Sequence, residues 1–485
     1  MLAPVAVHGQ KPQPVLPVPA IPDALIAEAY REAAERNVLA AVNPKVFPGY
    51  FSVCADGKGF GYGNTYPSLD GHQLSDALMW LGRGLTVREN FAYVRGFQRP
   101  DGLLPIAILP AEAGQTIGPA GFTAKVDANG GLYRHWVPGN PLEALASTTF
   151  IQNADLLYRF TLDREWLREQ IAAVNLAAAY LAGLTNPRGA VRGAGYYLER
   201  PARIDFDGVT QPHAADAFRR AAALNRALGE ETAATRWQQL AERIRSNFAR
   251  QFWTGDRFAE YIHPTRGAIT AHGYTDADWA ALAFGCTTPE QASIVWSKIR
   301  SESRFYYGGM PTGIATAPER YEPWEFTYAD QQDLAAMGRV WYVEAQARAR
   351  QDDAGGLIDT VRRVCRAGQN AGWYWRERYR ASGGYGAQKY CEYPANLIRV
   401  VQRFLLGVEF GLDGSLTLAP VAPADFWKQG FGQTLEVRGG VLAYRFERSR
   451  FTAAWEGPKP QALIVRRGGR EFRRTVTGRK LEIRL

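Results

Sequence analysis

Cysteine is scarce in this sequence, and its spacing excludes the structures that cysteine usually supports. The 485 residues contain four cysteines, which are Cys54, Cys286, Cys365 and Cys391. None belongs to a C-x-x-C pair, so the chain is no disulfide scaffold and offers neither a zinc knuckle nor a redox pair. Histidine is also sparse, and no second histidine follows His213 or His272 at a distance of four residues. We therefore expect no metal site and no cofactor.

Long apolar runs and the glycine-rich motifs of nucleotide chemistry are missing as well. No run of 18 apolar residues occurs, so the sequence predicts no membrane-spanning helix. There is no G-x-x-x-x-G-K-[ST] loop, no G-x-G-x-x-G after a predicted strand and no G-x-S-x-G. Phosphoryl transfer, dinucleotide-dependent redox chemistry and hydrolysis by an activated serine therefore have no support in the sequence.

Basic residues outnumber acidic ones, 57 to 48, which gives a net charge of +9. Much of the excess lies close to the C-terminal end, at Arg466, Arg467, Arg470, Arg473, Arg474 and Arg479. Such an excess is typical of a protein that binds an anionic polymer, or of a solvated strand surface. No nucleic-acid-binding module and no basic stripe with interleaved aromatics accompanies it. We therefore expect a solvated basic surface and no nucleic acid partner.

The spacing of the apolar residues divides the chain into three parts. Residues 1–22 are rich in proline and predict an extended arm or a signal remnant, because Val7-His8-Gly9 resembles a signal-peptidase site. From 23 to 407 the apolar spacing is three or four, which predicts helices; from 408 to 485 it is two, which predicts strands of a sandwich-like domain. A signal remnant favours a periplasmic or secreted location, with a cytoplasmic one as the alternative.

The connections between the predicted helices alternate between short turns and long loops rich in glycine and proline. Long loops without secondary structure are unusual in a compact domain unless they carry function. Here they recur at one end of each helix pair, which favours a mainly α fold, an (α/α)6 barrel with a pocket on one rim, followed by a small antiparallel β-domain. A terpene-cyclase-like toroid or an irregular bundle is the structural alternative.

The segment GWYWRERY at residues 372–379 has the most distinctive composition in the chain. Aromatic faces such as those of Trp373 and Trp375 stack on the C–H faces of sugar rings, and a neighbouring arginine keeps a carboxylate ionised. Glu377, flanked by two arginines, therefore has the surroundings that a general base in glycoside hydrolysis requires. The alternative is an aromatic loop packed in the core, with Glu377 in a solvated salt bridge.

A second candidate segment runs from Tyr62 to Asp76, on a loop that leads into a predicted helix. Asp70 is the candidate general acid, because burial beside other carboxylates raises the pKa of such a group. Tyr66, His72 and Asp76 are candidate contacts for sugar hydroxyls. The alternative is helix capping by Asp70 or Ser75, which is common at such positions.

Further carboxylates and aromatic residues lie on the other long loops and are candidate substrate contacts. An arginine–aspartate surface network is the alternative for the loop at 199–208, and the acidic segment at 319–330 surrounds a tryptophan. The candidates on these loops are Trp136, Asp207, Trp324, Glu325 and Glu392.

At these residues the chain resembles the six-hairpin glycosidases, and most of all the catalytic domain of the α-L-rhamnosidases. That family carries a Trp-Glu-Arg-Trp-like segment that supplies the general base, followed by an Asn-His-Tyr-x-x-Gly segment and an apolar helix. Here Trp375-Arg376-Glu377-Arg378-Tyr379 is followed by Gln388-Lys389-Tyr390 and a helix leading to Leu405-Leu406-Gly407. Residues 98–105 and 240–248 are also similar to the family.

The resemblance implies an inverting glycoside hydrolase that removes a terminal sugar, with Glu377 as the base. The family's general acid lies in an Asp-Glu-Arg-x-Gly-Trp-x-Gly-Asp segment; residues 68–76 take that place without the glutamate, which leaves the role to Asp70. The expected partner is an oligosaccharide or glycoside, and the expected assembly is a monomer or homodimer. Tyr66, His72 and the basic charge keep a polysaccharide lyase or sugar epimerase open. A carbohydrate-binding protein without catalytic activity is the third alternative.

Overall fold

A computed structural model describes residues 18–45, 48–56, 68–105, 116–117, 124–125, 143–193, 206–326, 331, 333–478 and 480–485. Thirteen α-helices lie in these residues. They are α1 Ala24–Glu32, α2 Ser68–Trp80, α3 Gly84–Arg95, α4 Glu143–Thr161, α5 Arg164–Gly183, α6 Thr210–Leu228, α7 Glu231–Gln251, α8 Asp276–Phe284, α9 Pro289–Ile299, α10 Gly338–Arg350, α11 Ala354–Asn370, α12 Glu392–Val400 and α13 Ala424–Gln429. Two of them continue as π-helix, α1 over Ala33–Val38 and α12 over Val401–Leu405.

Six of these helices form a closed ring. α2 packs against α4, α4 against α6, α6 against α8, α8 against α10, α10 against α12, and α12 returns to α2. The helices α1, α3, α5, α7, α9 and α11 form the outer layer. The predicted (α/α)6 barrel is therefore confirmed. Because successive helices alternate between the two layers, the inner helices share one direction and all begin on the same rim.

Burial distinguishes the two layers. In the inner helix α12 every residue from Glu392 to Val400 is buried. In the outer helix α11 the buried residues, which include Leu357, Val361 and Val364, recur at spacings of three and four. This is the single apolar stripe of a helix that packs on one side. The inner helix α12 has neighbours on all sides, so its buried residues do not form a single stripe.

The ends of several helices follow from local sequence. α8 begins with a capping box, in which the Thr275 and Asp278 side chains accept reciprocal backbone bonds. α9 begins with a second capping box, formed by Thr288 and Gln291. α6 ends at Gly229, whose φ of 86° is the left-handed conformation that glycine adopts without strain.

Short strands occur in the loops of the barrel, and longer strands follow it. The strands are β1 Thr116–Ile117, β2 Ala124–Lys125, β3 Phe206–Asp207, β4 Tyr261–His263, β5 Gly267–Ile269, β6 Arg378–Arg380, β7 Gly383–Tyr385, β8 Val408–Phe410, β9 Leu416–Leu418, β10 Phe431–Val437, β11 Gly440–Glu447, β12 Arg450–Glu456, β13 Gln461–Arg467, β14 Arg470–Val476 and β15 Leu481–Arg484. β10, β11, β12 and β15 form one four-stranded sheet, and β14, β13, β9 and β8 form another. The pairing of β9 with β13 is parallel, and the others in these two sheets are antiparallel.

The β-domain is fastened to the barrel at its first strand and at one hairpin. The predicted hairpin at Gly439-Gly440 is present, with Arg438 and Gly439 as a two-residue turn in which both φ angles are positive. The Arg438 guanidinium donates to the carbonyl oxygens of Gly414 and Arg159 at 2.6 and 2.7 Å. Arg159, at the end of α4, in turn donates to the Phe410 carbonyl at 2.9 Å. The domain bounds at 22/23 and 407/408 stay a prediction.

Candidate functional site

Asp70 lies in the first turn of α2, at the rim where the inner helices begin, and its side chain is buried. The Tyr390 hydroxyl donates to its Oδ2 at 2.9 Å, and Arg339 Nη2 donates to its Oδ1 at 3.3 Å. Burial raises the pKa of Asp70 and the Arg339 charge lowers it, while the charges of Glu392 and Glu377 raise it further, giving about 6. A carboxyl group with this pKa holds a proton in weakly acidic solution and can donate it.

Arg339 joins Asp70 to Glu392, the first residue of α12. Its Nε and Nη2 donate to Glu392 Oε2 at 2.9 and 2.5 Å, and its backbone N–H donates to Oε1. Glu392 is 2% exposed. Both oxygens of this predicted substrate contact are therefore committed to Arg339, and the pair aims the guanidinium at Asp70.

Glu377 lies just before β6 and is also buried. Its Oε1 is 2.6 Å from Arg378 Nη1, and its Oε2 accepts the backbone N–H of Ala387 at 3.0 Å. A Cβ at Gly386 would lie 2.7 Å from Oε2, and the φ of this residue is 75°, so the close approach requires glycine. The β6–β7 hairpin thus holds the Glu377 side chain between one guanidinium and one backbone donor.

The structure brings Asp70, Glu377 and Glu392 into one electrostatic neighbourhood. After burial, the charges of Asp70 and Glu377 both raise the pKa of Tyr390, whose hydroxyl contacts Asp70. Glu377 also raises the pKa of Asp70 itself. Asp70 and Glu377 are therefore close enough to act on the same tyrosine, and this makes them the candidate acid and base of the site.

Sequence analysis missed two residues of this neighbourhood, Arg339 and Asp333. Asp333 is buried, and its Oδ1 lies 3.5 Å from Arg378 Nη2, so that Arg378 stands between Asp333 and Glu377. A single arginine in a helix carries no pattern that marks it. Asp333 lies just after the acidic segment at 319–330. Its closeness to that segment is the sequence signal that could have marked it.

The two tryptophans of the 372–379 segment have different surroundings. Trp375 is fully buried, and its Nε1–H donates to the Val364 carbonyl at 3.0 Å. A Cβ at Gly368 would lie 2.1 Å from its ring, so glycine makes room for the indole. Trp375 therefore supports the loop from the core and offers no face to a ligand. Trp373 is half-buried, has a φ of 67°, and its carbonyl accepts the Asn37 amide at 2.9 Å.

Asp207 and Trp324 lie elsewhere on the loops. Asp207 is buried and accepts both the backbone N–H and the hydroxyl of Thr210, at 2.7 and 2.8 Å, which is the geometry of a residue that caps the start of α6. Trp324 is 36% exposed, and the Arg266 guanidinium lies 4.2 Å from its ring centroid. Its indole remains accessible on the surface.

Glu325 belongs to a second buried cluster, centred on His272. The Tyr261 hydroxyl donates to Glu325 Oε1 at 2.6 Å, and His272 Nε2 lies 3.2 Å from Oε2. The other ring nitrogen of His272 contacts Glu260, and the ring stacks on Tyr321 at 3.6 Å. Burial lowers the pKa of His272, but the bonds and charges of the two glutamates outweigh it and raise the pKa to about 9. Glu325 is thus the partner of a charged histidine.

His72 and Asp76 follow Asp70 on α2, and both face the inside of the ring. His72 Nδ1 lies 2.7 Å from Asn153 Oδ1. Asp76 is buried and accepts from Arg399 Nε at 2.8 Å and from Arg403 Nη2 at 2.7 Å, and these charges hold its pKa below its usual range despite burial. Both residues line an internal cavity below the rim.

Two predicted contacts, Tyr66 and Trp136, lie outside the described residues. Within the described part of the chain, no group of three or more His, Cys, Asp or Glu side chains is arranged to hold a metal ion. No helix there is long and apolar enough to cross a membrane.

Solved structures with the same fold are glycoside hydrolases. A GH78 rhamnosidase of Bacillus sp. GL1 superimposes with a TM-score of 0.66 and 13% identity over 90% of this chain. The α-L-rhamnosidase from Dictyoglumus thermophilum gives 0.63 and 11% over 96%. The GH63 mannosylglycerate hydrolase from Thermus thermophilus, in complex with glucose, gives 0.55 and 13% over 78% of this chain and 100% of its own.

This chain therefore has the fold of the six-hairpin glycosidases, as the sequence resemblance implied. It spans 40% and 50% of the length of the two rhamnosidases. No protein-family model matches the sequence. No curated protein matches it.

Proposed function

We propose that this chain is a glycoside hydrolase that removes a terminal sugar with inversion, with Asp70 as general acid and Glu377 as general base. The observation that carries the proposal is the pair itself, on the rim of a six-hairpin ring. One carboxyl group has a pKa of about 6, and the other accepts from an arginine guanidinium and a backbone N–H. An inverting glycosidase needs one protonated and one ionised carboxyl group.

In the proposed reaction Asp70 gives its proton to the glycosidic oxygen as the bond from that oxygen to the anomeric carbon breaks. Tyr390 and Arg339 already donate to Asp70, so they stabilise the carboxylate that remains. Glu377 takes a proton from the water whose oxygen attacks the anomeric carbon from the opposite face. An inverting site of this kind leaves about 6.5–9.5 Å between the two carboxyl groups, enough for that water.

An α-L-rhamnoside is the first substrate to test. The support is the resemblance at residues 372–390 and the likeness to two solved structures, both of which are rhamnosidases. The test is a panel of aryl glycosides that includes α-L-rhamnosides, with the first-formed anomer read by NMR. Release of the inverted sugar supports the proposal. Retention of configuration would contradict the inverting mechanism, and an unsaturated, ultraviolet-absorbing product would assign a lyase instead.

The Glu377→Gln variant tests the assignment of the base. Glutamine keeps the shape of the side chain but cannot take a proton, so we expect turnover to fall by about two orders of magnitude or more while substrate binding changes little. Steady-state kinetics and a binding titration measure the two effects. Glu436→Gln, on an exposed position of β10, is the matched control and should retain wild-type activity. Unchanged turnover in Glu377→Gln would reject this base.

A further inference from the structure

A cavity of about 360 Å³ lies inside the ring, lined by residues of α2, α4, α6, α8, α10, α12 and β8. Its volume is within the range of small-molecule sites. Leu69 and Arg339 line its upper end, but Asp70, Glu377 and Glu392 do not contribute to its wall. Phe160 and Phe410, whose ring centroids are 4.2 Å apart, contribute to its lower wall. The cavity is therefore a compartment below the proposed reaction site.

Arginine dominates the charge of this compartment. Arg339 lines the cavity but is paired with Asp70 and Glu392. The other lining arginines are Arg159, Arg219, Arg220, Arg350, Arg399 and Arg403. Opposite them are four carboxylates: Asp76, Asp216 and Glu409 in the lining, and Asp155 behind Arg159 and Arg220. Among the residues that the structure describes, six positive charges thus face four negative ones, an excess of two.

The excess follows from the way the ion pairs are shared. Asp76 accepts from both Arg399 and Arg403. In the same way Asp216 accepts from two arginines of its own helix, Arg219 at 2.5 Å and Arg220 at 2.5 Å. Asp76 and Asp216 each carry one negative charge next to two guanidinium groups. One positive charge beside each of them therefore stays unbalanced. Arg219 is exposed, but Arg399 is buried and Arg403 is three quarters buried, so part of the excess lies where uncompensated charge is costly.

Gln73 adds a neutral, buried donor in the wall of the same cavity. It is 2% exposed and lines the cavity. Arg399 Nη1 donates to Asn396 Oδ1, which turns the Asn396 amide N–H towards Gln73 Oε1. This fixes the Gln73 amide so that its Nε2 is a donor, and Nε2 finds no acceptor among the residues that the structure describes. A buried donor without an acceptor destabilises the fold. A ligand that offers an acceptor to this N–H group would therefore be bound favourably.

The two histidines of the lining stay neutral in this field. Burial lowers the pKa of His72 to about 3, and the Arg399 charge contributes to the lowering. Burial likewise lowers the pKa of His213 to about 3, with a contribution from Arg220. They therefore add no further positive charge at neutral pH, and the excess of two belongs to the arginines.

We propose that this cavity binds a small dianionic oxyanion, inorganic phosphate or a phosphate monoester, held by the arginines and by the Gln73 amide. A phosphate group carries a charge near −2 at neutral pH and offers several strong acceptor oxygens. It would balance the excess charge and accept from Gln73 at once. The open side of the cavity is marked by Arg219 and Arg350, both exposed, so the ligand enters away from the catalytic rim.

The test is isothermal titration of the full chain with sodium phosphate, with sodium chloride at matched ionic strength as the reference. We expect saturable binding of phosphate beyond the chloride reference. Each of the Arg219→Gln and Arg350→Gln variants should bind about tenfold more weakly, since a hydrogen bond to a charged group contributes that much. Both side chains are exposed, so the variants should fold. Gln73→Glu places a carboxylate in the cavity and should abolish binding.

Arg168→Gln, on the exposed side of α5, is the matched control and should bind phosphate like the wild type. Absence of saturable binding beyond chloride would overturn the proposal, and so would equal weakening in the control. A titration with glycerol phosphate distinguishes the two proposed ligands. Tighter binding of glycerol phosphate than of inorganic phosphate would identify a phosphate ester as the ligand, and weaker binding would identify the free ion. These titrations measure binding and not hydrolysis. Their outcome therefore does not depend on the proposed glycosidase activity.

Discussion

Asp70 and Glu377 are both buried carboxylates, but their partners differ. Glu377 receives a charged donor and a backbone N–H, which stabilise its ionised form. Asp70 receives a tyrosine hydroxyl and a longer contact to a guanidinium that Glu392 already neutralises. The Glu392 carboxylate offsets part of the Arg339 charge. The Arg339–Glu392 ion pair therefore sets how far Arg339 lowers the pKa of Asp70, the proposed acid.

This arrangement predicts the alkaline side of the pH profile. The acid must be protonated, so kcat/KM should fall as the pH rises through about 6, the pKa of Asp70. Tyr390→Phe removes a bond that lowers this pKa and should move the fall to higher pH. Glu392→Gln removes a charge that raises it and should move the fall to lower pH. Kinetic profiles of the three proteins between about pH 4 and 9 measure the shifts.

Asp70→Asn is the control for that profile. Without a titrating group at position 70 the fall near pH 6 should be absent from whatever activity remains. Shifts of the same sign in Tyr390→Phe and Glu392→Gln would contradict the assignment, because their effects on Asp70 are opposite in direction.

At the scale of single elements, local sequence accounts for several helix ends. The ends at Thr288 and Gly229 depend on local chemistry, since a capping threonine needs only its neighbours and a left-handed terminal residue favours glycine. The hairpin at Arg438 and Gly439 belongs with them. Both residues of its turn have positive φ angles. Glycine adopts such an angle without strain, and a two-residue turn of this kind fits the pairing of strands β10 and β11.

Gly229→Ala should destabilise the protein by about 1 kcal/mol. A Cβ at this position would meet nothing within 4 Å, so the cost comes only from the left-handed backbone. Gly183→Ala is the matched control, because Gly183 is exposed, lies within helix α5 and also has open space around its Cβ position. There alanine should be neutral or stabilise by about 0.5–1 kcal/mol. Urea unfolding of both variants measures the difference; a similar loss in both would contradict the conformational explanation.

At the scale of the whole molecule, the β-domain is tied to the barrel by backbone carbonyls that converge on one guanidinium. Arg438 reaches Gly414 and Arg159, and it also donates to Gly411 at 3.2 Å. These carbonyls come from both parts of the molecule, so the arginine ties the hairpin to the end of α4. The contact lies at the end of the ring opposite Asp70, beside Arg159 and Phe410, which line the cavity.

Arg438→Asn should loosen this connection. Asparagine accepts the positive φ of the turn but cannot reach the carbonyls, so we expect a loss of about 1–3 kcal/mol and faster proteolysis after residue 407. Arg448→Asn makes the same change in the turn of the neighbouring β11–β12 hairpin, where the side chain is exposed, and should alter stability by no more than about 0.5 kcal/mol. Urea unfolding and timed trypsin digestion measure both. Equal stability of the two variants would show that Arg438 does not couple the domains.

The sequence by itself determined the period of the apolar residues, and with it the helical part, the change to strands after Gly407 and several helix ends. It also marked Asp70 and Glu377, because acidic residues among aromatics on long loops are visible without a structure. It could not show that Trp375 packs in the core, that Arg339 links Asp70 to Glu392, or that arginines from four helices face one cavity. Those facts depend on closure of the ring, which places α2 beside α12 from the far end of the barrel sequence. Helical periodicity is a property of neighbouring residues, whereas the meeting of distant side chains is decided only when the whole ring packs.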